Sequence, residues 1–223
     1  MTVTEADGRK RVVIEGISPE IDGGRFPAKR CQGDPVRVEA DIFTDGHDSI
    51  AAAVLVHREG SDDWTEIPME PVTNDRWTAT FRVKELGRYG FKVQGWVDHF
   101  ETWHRGLLKR IAAETDAAVD YLIGADLIEA ASARAIPTSE EDSSWLLERA
   151  LKLRAKSGLP DQTDLQVLRA VATDPELHER ALRYPDKSFA TESDREAFVV
   201  VDPVHARFSS WYEFFPRDRK SVV

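Results

Sequence analysis

Paired cysteines are missing from this sequence: Cys31 is the one cysteine in 223 residues. That excludes an internal disulfide and any metal site built from cysteine pairs, and it suits a reducing compartment. Nothing approaches the ~20 consecutive apolar residues that a membrane span requires. Met1 to Arg11 is polar and lacks the apolar core of a signal peptide. A soluble, cytoplasmic protein with no membrane partner is therefore expected. Basic residues are in deficit, 30 Lys and Arg against 40 Asp and Glu, for a net charge of −10. No nucleic-acid partner is expected, because that binding relies on clustered cations neutralising phosphates. Internal repeats and low-complexity stretches are also absent.

What remains is the composition of an ordinary globular chain, with 41% hydrophobic and 31% charged residues. Between Arg11 and about Trp103 the hydrophobic pattern has period two. Arg11–Ile17, Val36–Phe43, Ala51–His57, Trp64–Met69, Trp77–Val83 and Tyr89–Val97 read as strands separated by turn residues. Val36, Val38, Ala40 and Ile42 fall on one face, as do Trp77, Ala79 and Phe81. Short strands at this spacing predict an antiparallel β-sandwich. Trp64, Trp77, Trp96, Trp103 and Trp211 lie in strand-like segments, and Trp145 in a helical one.

After Trp103 the period lengthens. Leu108, Ile111, Thr115, Val119, Leu122 and Leu127 predict one amphipathic helix reaching Ala135, with Gly124 as a possible kink. Thr138 and Glu141 form a predicted capping box for a second helix, which ends at Gly158. A third carries Leu165, Leu168 and Val171, and a fourth opens with Asp174 as N-cap and Pro175 in the first turn. Period two returns in Phe198–Asp202 and Ala206–Phe214. Two strands do not make a sheet alone, so they are expected to rejoin the first one. The fold class is then α+β: a β-sandwich over 11–104 and 196–217, an inserted four-helix bundle over 105–195, a disordered tail at 1–10 and a tail at 218–223.

Candidate chemistry is sparse. Catalysis by a pair of carboxylates needs the two held close together in space, but among forty acidic residues no pairing can be read. Asp45-Gly46-His47-Asp48 reads as a hairpin turn and not as a metal site. His99, Glu101 and His104 do not match the spacing of a helical zinc motif, so no metal and no cofactor is expected. Cys31 has no legible activating base and is expected to be inert. Asp22-Gly23-Gly24-Arg25, with Lys29 and Arg30, is a loop whose three cations, Arg25, Lys29 and Arg30, are candidate contacts for a phosphate or a partner's carboxylate. Solvated or locally paired charge is the simpler use for them. The tryptophans divide between core packing and platforms for sugar rings. Trp96 and Trp103 are out of phase on one continuous strand, so one of the two is a candidate contact residue.

Five stretches together carry a resemblance: Asp22–Arg30 (DGGRFPAKR), Ala40–Asp48 (ADIFTDGHD), Asn74–Phe81 (NDRWTATF), Leu86–Trp103 (LGRYGFKVQGWVDHFETW) and Phe208–Arg217 (FSSWYEFFPR). In this order they resemble the N-terminal region of the α-1,4-glucan:maltose-1-phosphate maltosyltransferases, over about residues 11 to 217. The resemblance implies an immunoglobulin-like sandwich with an inserted helical bundle. It implies a following (β/α)₈ barrel of the α-amylase type that moves maltosyl units from maltose 1-phosphate to α-glucan with retention of configuration. Asp and Glu of the barrel perform that chemistry, so no catalytic residue carries over to this chain, which is expected to be inactive alone. The family enzymes are homodimers, so a homodimer is expected, with α-glucan or maltose 1-phosphate engaged only through the barrel. A free-standing α-glucan-binding module is the alternative.

Overall fold

A computed structural model describes residues 8–157 and 161–208. The described residues are mixed α+β, with two sheets and five helices. Its first part runs β1 (Val12–Ser18), β2 (Ala28–Cys31), β3 (Pro35–Thr44), β4 (Ile50–Arg58), β5 (Thr65–Pro68), β6 (Glu70–Thr73), β7 (Arg76–Arg82) and β8 (Gly87–Val97). Helices α1 (His99–Ala112), α2 (Ala118–Ala135), α3 (Glu140–Lys156), α4 (Gln162–Ala172) and α5 (Pro175–Leu182) follow, then β9 (Thr191–Glu192) and β10 (Ala197–Asp202).

One sheet has the order β1-β3-β7-β6; the other runs β2-β10-β8-β4-β5, with β9 pairing to β8. The alternation along β3 does what the pattern predicts: Val36, Val38, Ala40 and Ile42 are fully buried. Opposite them on β7, Phe81, Ala79 and Trp77 pair in register with Val36, Val38 and Ala40. The second sheet adds Val54, Phe91, Val93, Val199 and Val201 to the same core. A period of two on each strand thus buries one face of each sheet in a shared apolar layer.

β10 lies antiparallel to β8 but parallel to β2, with Val199 opposite Ala28 and Asp202 opposite Cys31. The sheet is therefore not wholly antiparallel as expected. Parallel neighbours need a long connection, and the chain between β2 and β10 supplies one. Of the expected strand Ala206–Phe214, the described part differs: Val204–Arg207 is a 3₁₀ turn. Residues 209–223, including Trp211, lie outside the described residues, as do residues 1–7 and the predicted helix stop at Gly158.

Among the described residues there are five helices where four were expected. The predicted helix over Leu108–Ala135 is two, and the first begins nine residues earlier. Asp98 follows β8 and caps α1, its carboxylate accepting from the Glu101 amide at 2.8 Å. Between α1 and α2 the chain turns through Glu114, at φ +54°, and Asp120 folds back to accept the Ala117 amide at 2.9 Å. Gly124 lies within the single helix α2 at a close approach, since a Cβ there would lie 2.0 Å from Cζ2 of Trp103. The α3 cap is Ser139, not Thr138, and accepts from the Asp142 amide at 3.1 Å; the Thr138 amide is already bonded to Ala135. Asp174 and Pro175 start α5 as the sequence predicts. The helices bury a second core around Leu107, Tyr121, Ile128, Leu146, Leu153, Leu168 and Leu177.

Candidate functional site

Where β8 passes into α1, the second sheet meets α5. Asp98 at this corner is buried, and burial raises its carboxyl above the ordinary range despite the amides it accepts. The Ser49 amide donates to Thr102 Oγ1 at 2.8 Å, and Arg105 reaches Ser49 Oγ at 3.2 Å, so α1 is tied to the sheet at its first turns. Beside this corner lies a cleft of about 650 Å³ lined by Ala52, Met69, Trp96, His178, Leu182 and Lys187, among others. Trp96 is only 6% exposed, and its indole N–H is buried without a partner among the described residues. Lys187 Nζ stands 4.2 Å from the centre of the Trp96 ring and 2.5 Å from Glu66, a cation over an aromatic face.

One turn into α1, Glu101 and His104 face α5, three residues apart on one side of the helix. His178 of α5 meets them: its Nε2 lies 2.6 Å from Glu101 Oε2, and its ring centre 4.5 Å from that of His104. The possible ligand atoms of the three lie within 4.8 Å of one another. His104 Nε2 is buried with no hydrogen-bond partner among the described residues. Burial, then the neighbouring His178, hold the His104 imidazole below its ordinary pKa. The sequence expectation considered His99, Glu101 and His104 against a helical zinc-motif spacing and did not name His178. Once α1 is known to begin at His99, the three-residue spacing is legible; the partner from α5 is not.

The three predicted cations fall elsewhere. Asp22, Gly23 and Gly24 all have positive φ and fold the 22–26 loop tightly. Arg25 lies 3.8 Å from Asp22 and packs over Phe26 at 5.3 Å. Lys29 lies 3.9 Å from Asp202, and Arg30 donates to the Lys29 carbonyl at 2.8 Å. Lys29 and Arg30 are adjacent on β2 and point to opposite faces, so the structure does not bring the three cations onto one ligand. Trp96 and Trp103 are both 6% exposed. The parity argument that separated them fails because Trp103 is helical: it packs on Gly124 and donates its indole N–H to the Asp120 carbonyl at 2.7 Å. At Asp45-Gly46-His47-Asp48, Arg11 holds Asp45 at 2.8 Å and Asp48 at 2.6 Å, which makes the segment an ion-paired turn. Among the described residues no helix is long and apolar enough to cross a membrane.

A family described as alpha-1,4-glucan:maltose-1-phosphate maltosyltransferase, domain N/S, matches residues 10–203. A protein of Chlorobaculum tepidum named alpha-1,4-glucan:maltose-1-phosphate maltosyltransferase is 44% identical over 95% of this chain and 30% of its own length. Proteins of the same name from Myxococcus xanthus and Methylacidiphilum infernorum are 41% and 39% identical, over 94% and 97% of the chain. The match falls on 31% of each of those two proteins, so the chain spans about a third of the length of the relatives it resembles. With the matched region running from the first strand to the last, the chain belongs to the alpha-1,4-glucan:maltose-1-phosphate maltosyltransferase domain N/S family.

Proposed function

We propose that this chain is the non-catalytic N-terminal dimerisation and scaffold region of a maltosyltransferase, one that transfers maltosyl units from maltose 1-phosphate to α-1,4-glucan in the cytoplasm. The observation that carries the reading is the family match over residues 10–203, set against relatives about three times as long. In this reading the two sheets form an immunoglobulin-like sandwich, the helices are the bundle inserted in it, and glycosyl transfer belongs to the remainder of the longer protein.

The surface of α2 supports the assembly role. Tyr121, Ala125 and Ile128 are buried against the other helices, yet Val119, Leu122 and Ile123 are exposed on another side, Val119 by 56%. A helix that is apolar on both sides suits burial on both. The exposed Leu147 and Leu151 one turn apart on α3 add to the apolar surface. Sedimentation velocity over a range of concentrations tests this. The chain is expected to dimerise, and Ile123→Glu is expected to leave a monomer of unchanged helical content. A wild-type chain that stays monomeric at the highest concentrations ends the assembly reading.

A second reading, an α-glucan contact, is favoured by one residue. Trp64 is 41% exposed, and its ring is backed at 4.1 Å by His57 and approached by Lys92 at 5.7 Å. An exposed indole offers apolar surface on which the apolar side of a sugar can stack.

A further inference from the structure

Glu101, His104 and His178 combine two imidazoles and a carboxylate, the donor set of three-ligand zinc sites that keep a fourth position open. Ligand atoms in a tetrahedral zinc shell stand about 3.4 Å apart, given bonds of roughly 2.1 Å. Here the three possible ligand atoms already lie within 4.8 Å of one another. The spacing therefore exceeds that of a metal-bound shell by on the order of an ångström.

Two features set this cluster apart from an ordinary histidine–carboxylate pair. His178 and Glu101 satisfy each other at 2.6 Å, but His104 stands outside that pair with its Nε2 buried and without a partner among the described residues. Buried polar atoms normally find one. An imidazole nitrogen that carries no proton offers a lone pair to an ion. The surroundings also suit an ion: the Phe100 ring lies 6.0 Å from both imidazoles and walls off one side, whereas His178 also lines the open cleft beside α5. An apolar wall with one open approach governs solvent access in metal sites.

We propose that Glu101, His104 and His178 form a binding site for a divalent transition-metal ion of the zinc class, with His104 Nε2, His178 Nε2 and a Glu101 carboxylate oxygen as ligands. The ion takes the place of the proton shared by His178 and Glu101, and it supplies the partner that His104 Nε2 lacks. Imidazole with carboxylate is a donor set suited to zinc. Because the ligands come from the first and last helices, the ion clamps the helical layer shut.

The test uses the chain without a histidine tag, stripped by chelator and titrated with Co²⁺, then with Zn²⁺. One equivalent of Co²⁺ is expected to give the visible absorption of a four-coordinate centre, which Zn²⁺ abolishes. His104→Gln leaves the His178–Glu101 pair in place and so retains the fold, yet it is expected to weaken binding by at least about 100-fold, as are Glu101→Gln and His178→Gln. Zinc is expected to raise the thermal midpoint of the wild type and not that of His104→Gln. Stoichiometric binding that survives His104→Gln, binding lost in Cys31→Ser instead, or affinity no tighter than millimolar would each overturn the proposal.

Discussion

Replacing Gly124 by alanine sets two well-calibrated effects against each other. In a helix interior the change alone stabilises by about 1 kcal/mol, because glycine has more backbone freedom to lose. At this position the new methyl meets the Trp103 indole, 2.0 Å from Cζ2, 2.5 Å from Cε2 and 2.6 Å from Cη2. Carbon atoms pack at roughly 3.5–4.0 Å, so the ring must retreat by more than an ångström. It has nowhere to go, since Trp103 is 6% exposed and wedged between Phe100 and α2. Its indole N–H is held at 2.7 Å by the Asp120 carbonyl, one turn before Gly124. Overpacking costs about 1–3 kcal/mol, and losing the hydrogen bond costs about 1 kcal/mol more. The net expectation is destabilisation by about 2 kcal/mol, or roughly 4–8 °C in a domain of this size. Gly106 on α1 provides the control. A Cβ there meets only the flexible guanidinium of Arg110, 3.3 Å away at Nη1, so Gly106→Ala is expected to stabilise by about 0.5–1 kcal/mol. Urea unfolding followed by far-ultraviolet circular dichroism reads both variants. Should Gly124→Ala stabilise as Gly106→Ala does, the close approach of α1 and α2 is refuted.

Asp116, in the turn between α1 and α2, is gripped by Arg169 at 2.7 and 2.9 Å and by the Tyr121 hydroxyl at 2.5 Å. Arg169 first, and Tyr121 with it, push its pKa from 3.8 down to about 2. A depressed carboxyl contributes stability that is present above the unfolded pKa and lost as pH falls through the folded one, so the loss spans roughly pH 4 to 2. The drop converts to about 2 kcal/mol, trimmed to about 1 because Arg169 is 36% exposed to solvent. In Asp116→Asn this acid-dependent step is expected to vanish; an unchanged acid limb in thermal melts would contradict it. Maltooligosaccharides at millimolar concentration are expected to perturb the tryptophan fluorescence of the chain and to leave that of Trp64→Ala unaffected. Absence of any response in the wild type removes the sugar-contact reading.

Segments governed by neighbours along the chain were legible without coordinates. Val36 to Ile42 and Trp77 to Phe81 alternate because each strand buries one face, and that pattern needs no knowledge of the partner strand. Asp174 and Pro175 announce α5 because helix caps are settled within a turn. The same local logic failed where two local readings compete. Trp96 and Trp103 look like one strand until Asp98 caps a helix between them, and the apolar residues fit either period.

Contacts closed across long stretches of chain lay beyond any local pattern. His178 reaches Glu101 across 77 residues, and β10 returns to lie parallel to β2 only after all five helices have been built. Such pairings depend on how layers stack and on which buried polar atoms find partners, which are properties of packing. The periodicity of this chain sufficed for its longer strands and most of its helices, and five ordered stretches carried its resemblance to a family. Only the stacking of α1 against α5 set two histidines and a glutamate side by side, because proximity in space is decided by burial and not by spacing in the chain.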